Sequence, residues 1–359
     1  MIIHSKFKDY EVHLENDFTF LESLLSTENT ELVIDQKLFD LYPALFLNFP
    51  KERLMLIEAT EEHKIIDTAL EICEKMTEIP AKRNARLVSI GGGIIQDITG
   101  FVANILYRGI HWTFVPTTLL SACDSCIGGK TSLNYKKYKN LLGTFYPPDH
   151  IYICAPFFNT LSEKDYESGL GEVVKFNIMA GEDGLQRITE NIDFLLERKP
   201  EVVNQFVRSS LAFKKNFIEV DEFDRGERIK LNFAHTFGHA IEVITEYQIP
   251  HGTAVAIGMI MADSISVKRG LLSEETARKA ENVLLKVIHI NVDLLKGAID
   301  GVLDAIRKDK KQTSDALTAV LMTENKDEGQ RLIVIHDMTE DEVEYARDYF
   351  VDKYEKLRS

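Results

Sequence analysis

Cysteine is scarce: Cys73, Cys123, Cys126 and Cys154 are all that 359 residues contain. Four thiols in so long a chain exclude a disulfide framework and fit a reducing cytoplasm. Cys123-Asp124-Ser125-Cys126 is formally C-x-x-C, yet no second such pair accompanies it. Small buried thiols are therefore the simpler reading, ahead of redox chemistry or half a zinc site. Positive charge is also short. A formal net charge of −15 repels phosphate backbones, which argues against a nucleic-acid or anionic-membrane binder and leaves room only for local basic pockets that hold small phosphates. Long apolar runs are missing, as is an N-terminal apolar signal core, so neither secretion nor membrane insertion is expected. Repeats, low-complexity tracts and long linkers are absent too.

What is present is an ordinary globular composition, 45% hydrophobic and 28% charged, enough for two cores of moderate size. In the first half, Leu32-Val33-Ile34, Leu54-Met55-Leu56-Ile57, Leu87-Val88-Ser89-Ile90, Trp112-Thr113-Phe114-Val115 and Ile151-Tyr152-Ile153-Cys154 are brief continuous runs, as in strands buried on both faces. Ile65, Ile66, Ala69, Leu70, Ile72, Cys73 and Met76 fall at helical spacing between two of them. This βαβα order predicts an α/β domain with a mainly parallel, helix-covered sheet, a Rossmann-like arrangement whose ligands sit at the carboxyl ends of strands. Beyond Phe157 the pattern turns helical, apart from a hairpin of 317–322 with 332–335 and a last helix opened by Thr339. The division expected is a Rossmann-like domain over 1–157 and a mainly α-helical domain over 158–359.

Several polar stretches interrupt this pattern. Gly91-Gly92-Gly93, after the third strand and before an apolar helix, could bring backbone amides to a diphosphate or could be only a tight turn. Gly128-Gly129-Lys130, with Lys139 and Asn140 following, could hold an anionic group or be an exposed turn with solvated lysines. Glu172 and Lys175 read either as an intrahelical ion pair or as a carboxylate offered to a metal. The segment from Arg228 to Glu242, taken as one helix, puts Arg228, Asn232, His235 and His239 on one face, with His251 shortly after. Imidazoles so placed could ligate zinc or be ordinary polar residues of a half-exposed helix.

In order along nearly the whole chain, these pieces resemble the 3-dehydroquinate synthases and the wider sugar-phosphate cyclase family. The resemblance rests on the G-G-G-x-x-x-D turn, Tyr107-Arg108-Gly109, P-T-T-L-L, D-S-x-x-G-G-K, K-N-L-x-G, G-E-V-V-K, R-x-x-x-N-F-x-H-T-x-G-H-A, H-G-x-A-V-A-x-G-M and D-K-K. It implies a Rossmann-like N-terminal domain that binds NAD, a helical C-terminal domain that holds zinc or cobalt, and a homodimer. Glu172, His235 and His251 correspond to the metal ligands, which leaves His239 on the substrate side. Asp35, Glu61, Lys64, Gly92, Gly93, Asp97, Thr117, Thr118, Lys130, Lys139 and Thr160 fall at dinucleotide positions. Asp124, Lys130, Lys175, Asn232 and His239 fall at catalytic positions. Asn140, Lys214, Arg228, Lys310 and Lys311 join Lys130, Asn232 and His239 as substrate positions, and Arg108 matches an arginine lent across the dimer to the neighbour's phosphate pocket.

The implied reaction takes 3-deoxy-D-arabino-heptulosonate 7-phosphate to 3-dehydroquinate and phosphate. Bound NAD oxidises a carbinol and later returns its hydride, while the metal polarises the oxygen. Lys214 and Arg228, at the family's carboxylate-holding positions, favour this substrate over glucose 6-phosphate or sedoheptulose 7-phosphate, whose cyclases usually lack the pair. A metal-dependent NAD alcohol dehydrogenase is a more distant alternative. Three departures stand out: Thr253 where the family has a carboxylate after H-G, Ala234 in place of glycine before His235, and Phe176 in place of tyrosine.

Overall fold

The computed structural model describes residues 1–78, 84–296, 299–308, 317–324 and 331–356. Lys310 and Lys311 lie outside them. The chain forms two compact units, Met1–Ser162 with Val203–Phe223, and Glu163–Val202 with Asp224–Ser359. Sequence periodicity suggests one boundary after 157, whereas by contacts the stretch 203–223 groups with the first unit. Its helix buries Val203, Phe206, Val207 and Leu211; the pattern reveals an apolar face but not which core receives it.

Among the described residues the first unit has nine strands: β1 Ile2–Ile3, β2 Tyr10–Glu15, β3 Thr30–Asp35, β4 Leu54–Ile57, β5 Arg86–Gly91, β6 His111–Pro116, β7 Lys130–Tyr135, β8 Tyr138–Phe145 and β9 His150–Cys154. Seven form one sheet in the order β1-β2-β9-β6-β5-β3-β4, parallel except for β1. Leu32, Val33, Ile34, Leu87, Ile90, Phe114 and Val115 are wholly buried, as expected of strands covered on both faces. β7 and β8 make a separate antiparallel hairpin. Helices α1 Phe20–Ser26, α2 Gln36–Leu41, α3 Ile66–Glu78 and α4 Gly93–Ile105 connect the strands. From β3 the chain steps outward to β4 and then returns to the other side of β3 as β5. That reversal opens a crevice at the carboxyl ends of β3 and β5, where doubly wound sheets bind ligands.

The second unit is mostly helical: α5 Glu163–Met179, α6 Glu182–Leu196, then, after α7 Pro200–Val220, which belongs to the first unit from Val203 onward, α8 His235–Ile244, α9 His251–Lys268, α10 Glu274–Leu284, α11 Val292–Lys296, α12 Val302–Arg307 and α13 Glu340–Lys356. Strands β10 Leu317–Met322 and β11 Leu332–Met338 form its antiparallel pair. α9 is buried along nearly its full length and is met closely on two sides. A Cβ on Gly252 would lie 1.7 Å from the Ser168 carbonyl oxygen of α5, and one on Gly258 2.4 Å from the Ala234 carbonyl oxygen. No helix among the described residues is long and apolar enough to cross a membrane.

The continuous helix expected from Arg228 to Glu242 does not form. Glu227–Asn232 is a 3-10 turn, and α8 starts only at His235. Between them Ala234 adopts φ 68°, a left-handed conformation that breaks the helix. Arg228 and Asn232 therefore do not share a helical face with His235 and His239. Left-handed backbone costs an L-residue roughly 1–2 kcal/mol, part of which glycine recovers against its greater unfolded-state entropy. Ala234→Gly is expected to stabilise the protein by about 1 kcal/mol, read as an upward shift of the denaturant midpoint.

Candidate active site

In the first unit the glycine turn sits at the end of β5. Gly91 accepts a hydrogen bond on its carbonyl oxygen from Thr117 N at 2.9 Å, which ties the turn to the end of β6. Gly92 caps α4 in extended backbone; a Cβ there would stand 3.0 Å from the Thr118 methyl, while one on Gly93 would meet only Ser125 Oγ at 3.7 Å. The α4 N-terminus thus presents amides in an uncluttered turn, suited to a diphosphate. Asp35, at the end of β3, caps α2 by accepting from Lys37 N at 3.0 Å, and burial raises its carboxyl. Thr160 follows β9, its hydroxyl 3.1 Å from Tyr42 Oη.

Five residues singled out from the sequence meet in one polar network. Lys64 Nζ is 2.5 Å from Asp97 Oδ2 and donates to Asn140 Oδ1 at 2.6 Å. Ser132 Oγ bridges the same two oxygens at 3.0 and 2.8 Å. Asn134 joins Glu61 at 2.7 Å and accepts from Asn140 N at 2.9 Å, and Lys139 lies 3.5 Å from Glu61. Lys64 is buried, at 5% exposure, so this is a built arrangement and not a solvated face. Lys130 opens β7 with its side chain exposed. Lys214 Nζ grips Asp124 twice, at 2.6 Å from its carbonyl oxygen and 2.8 Å from Oδ1. Cys123 and Cys126 are buried and form no disulfide, and burial pushes the Cys126 thiol up to about 12, which disfavours its thiolate. Arg108 is exposed in a turn where Tyr107, Arg108 and Gly109 all have positive φ.

In the second unit, Glu172, His235 and His251 offer ligand atoms within 4.8 Å of one another. Three helices supply them: Glu172 from α5, His235 from the first turn of α8 and His251 from the first turn of α9. Glu172 is wholly buried. Its Oε2 pairs with Lys175 Nζ at 2.5 Å. Its Oε1 makes no hydrogen bond among the described residues and faces Nε2 of His251 at 3.5 Å and of His235 at 3.7 Å. Ligand atoms around a tetrahedral zinc stand roughly 3.4 Å apart. An orphaned buried oxygen beside two imidazole nitrogens at this spacing fits a divalent ion.

The other ring nitrogens are fixed. His235 Nδ1 lies 3.0 Å from the Phe233 carbonyl oxygen, and His251 Nδ1 lies 3.1 Å from Glu242 Oε2. Imidazoles that bind metal characteristically use the second nitrogen in this way. The carboxylate for His251 therefore comes from Glu242 on α8, not from position 253, where Thr253 is buried. Sequence reasoning missed Glu242, although its spacing from His235 and His239 places it on their face of α8. His239 stacks edge-on to His235, centroids 5.3 Å apart, and also lies 5.9 Å from His251. A second grouping of His239, Glu242 and His251 shares His251 with the first. Arg228 is buried and Asn232 half-buried in the 3-10 turn.

Burial disfavours a charged His251, but the neighbouring carboxylates of Glu172 and then Glu242 outweigh it and push the ring up to about 10. Because this folded value exceeds the ordinary 6.5, the protonated ring stabilises the metal-free protein below about 6.5, and that contribution is lost as pH rises toward about 10. A bound ion needs the neutral ring. Chelator-stripped protein is thus expected to lose stability across that window while metal-loaded protein does not, as denaturant titrations at either end will read.

Comparison with known proteins places these features in context. Residues 54–168 match the family model for the 3-dehydroquinate synthase N-terminal region and residues 169–312 that for the C-terminal region. A 3-dehydroquinate synthase of Clostridium tetani is 37% identical over 268 residues, 73% of this chain and 72% of that protein. Among solved structures, 2-deoxy-scyllo-inosose synthase complexed with carbaglucose-6-phosphate, NAD+ and Co2+ superposes with a TM-score of 0.81 at 21% identity, covering 97% of this chain and 99% of the other. The 2-epi-5-epi-valiolone synthase of Streptomyces hygroscopicus with NAD+ and Zn2+ bound gives 0.77 at 23% identity, with 98% and 99% covered.

Proposed function

We propose, from the premise that this chain belongs to the 3-dehydroquinate synthase family, that it is a 3-dehydroquinate synthase. It converts 3-deoxy-D-arabino-heptulosonate 7-phosphate to 3-dehydroquinate and phosphate in the cytoplasm, as a homodimer using NAD and zinc or cobalt. The observation that carries the reading is the wholly buried Glu172 Oε1, without a hydrogen bond, facing two imidazole nitrogens. When bound, the dinucleotide takes and returns a hydride and the metal ion acts as a Lewis acid toward the substrate oxygen.

The chain's own groups do the rest. Glu172, His235 and His251 hold the ion, and Glu242 fixes the His251 ring so that Nε2 points to it. Lys175 neutralises the second oxygen of Glu172, and the two buried charges compensate each other. Amides at Gly92, Gly93 and the α4 N-terminus receive the diphosphate. Asp35, Glu61, Lys64, Asp97, Thr117, Thr118, Lys130, Lys139 and Thr160 surround the remainder of the dinucleotide. Asp124 holds Lys214 in place, and Lys214 with Arg228 takes the substrate carboxylate. Asn140, Asn232, His239, Lys310 and Lys311 bind the ring oxygens and phosphate. Arg108, presented on its strained turn, reaches the phosphate pocket of the neighbouring subunit, and left-handed backbone of this kind is retained where a side chain must be aimed.

The test is direct. Purified protein with NAD, zinc or cobalt and the heptulosonate phosphate should release phosphate and form dehydroquinate without lasting NADH absorbance. Absence of phosphate release rejects the reading; preferential turnover of sedoheptulose 7-phosphate or glucose 6-phosphate replaces it with another cyclase. Net accumulation of NADH with a simple polyol would instead identify an alcohol dehydrogenase.

A further inference from the structure

A different set of ligating side chains lies on the sheet of the first unit. Glu11 and His13 on β2 and His150 on β9 offer three ligand atoms within 4.8 Å of one another. β2 and β9 run parallel, with Glu11 opposite His150 and His13 opposite Tyr152. Residues two apart along a strand point to one face, so the four side chains share a face of the sheet. His13 Nε2 stands 3.3 Å from Glu11 Oε2 and 3.4 Å from His150 Nδ1. Atoms bound at about 2.0–2.1 Å to one tetrahedral ion lie roughly 3.4 Å apart, which is the spacing already found here.

The surroundings hold this geometry in place. Tyr152 stacks on His13 with centroids 4.7 Å apart and planes 15° from parallel, and Phe20 stacks on Tyr152 in turn. The column restricts ring rotation, which lowers the entropy lost on binding. The side chains of His13 and Glu11 remain 34% and 48% exposed, open enough for an ion to enter.

We infer that Glu11, His13 and His150 form a second metal site, separate from the Glu172 cluster. Two imidazoles and one carboxylate select a late first-row divalent ion such as Zn2+, Ni2+ or Cu2+ over Mg2+ or Ca2+. Water completes the coordination. The ion would tie β2 to β9 across their ladder, and no part of the proposed reaction runs through it.

The experiment counts ions on full-length protein stripped with chelator and titrated with Zn2+ and, separately, Co2+, whose visible absorption reports ligand geometry. Wild type is expected to bind two equivalents per protomer. His13→Gln and His150→Gln should each lose one, with at least a tenfold weaker residual affinity, while keeping turnover and the Glu172-dependent equivalent. Glu172→Gln should lose the other equivalent and keep the second. A wild-type stoichiometry of one, or two equivalents retained by both histidine variants, overturns the inference. One ion shared between two protomers, seen as half an equivalent lost, also overturns it. Circular dichroism of the folded histidine variants separates loss of a ligand from loss of structure, and because the two equivalents are removed by different substitutions, failure here leaves the Glu172 assignment standing.

Discussion

Glu172→Gln is expected to abolish stoichiometric zinc and to lower turnover by about a thousandfold or more, since Lewis-acid stabilisation worth several kcal/mol corresponds to about three decades in rate. Glutamine keeps the shape of the side chain but offers no anionic oxygen to the two imidazoles. The substitution also has a structural cost, because Lys175 is 2% exposed and loses the carboxylate 2.5 Å away. Removing one partner of a buried ion pair destabilises by about 3–5 kcal/mol. The double variant Glu172→Gln with Lys175→Met removes both charges, so it should recover much of that stability while remaining free of metal. If metal analysis finds one equivalent still bound in the Glu172 cluster of the folded double variant, the Glu172, His235, His251 set is wrong, and the grouping of His239, Glu242 and His251 takes its place.

The Glu172 case also shows how far the sequence could be read. Spacing offered two readings of Glu172 and Lys175, ion pair or metal ligand, as if they were exclusive. The structure has the ion pair on one carboxylate oxygen and leaves the other turned to the histidines. Two-atom side chains permit both, and spacing alone cannot divide the atoms. Strands β3, β5, β6 and β9 are legible within a residue or two because burial on both faces writes a continuous apolar run, and the edge strand β4 is legible as an equally apolar run although Leu56 is exposed. β2, Tyr10-Glu11-Val12-His13-Leu14-Glu15, alternates instead, with a half-covered face, and so escaped a search for continuous runs. In the sequence the β7–β8 hairpin reads only as a glycine and lysine loop; of Lys130, Lys139 and Asn140, the structure brings Asn140 and Lys139 into the Lys64, Asp97 and Glu61 network and leaves Lys130 exposed. The break at Ala234 was invisible for a sharper reason. Alanine is the best helix former, and only the close passage of Gly258 beneath its carbonyl shows that tertiary packing, not propensity, decides the backbone there.

The second large effect is expected at Gly252. Substitution by alanine would put a methyl 1.7 Å from the Ser168 carbonyl oxygen, and Gly171→Ala would put one 2.1 Å from the carbonyl oxygen of Gly252 itself. The obstructing atoms are backbone, so no side chain can swing aside and the helices must separate. Gly252 N also donates to Ser168 Oγ at 3.0 Å, a bond that separation would stretch. Overpacking typically costs about 1–3 kcal/mol, and a backbone obstruction places this case at the upper end. The effect reaches the chemistry because Gly171 and Gly252 immediately precede and follow proposed metal ligands: Glu172 is the next residue after one and His251 the residue before the other. Closeness of α5 to α9 at these glycines is therefore what sets the 3.5 Å between Glu172 Oε1 and His251 Nε2. Gly252→Ala should lower the denaturant midpoint and weaken zinc binding together, whereas Gly270→Ala, at a positive φ with no atom within 4 Å of a new Cβ, should lower stability by about 1 kcal/mol and leave zinc affinity unchanged. Equal zinc affinity in Gly252→Ala and wild type would show that the ligands are positioned by something other than this helix crossing.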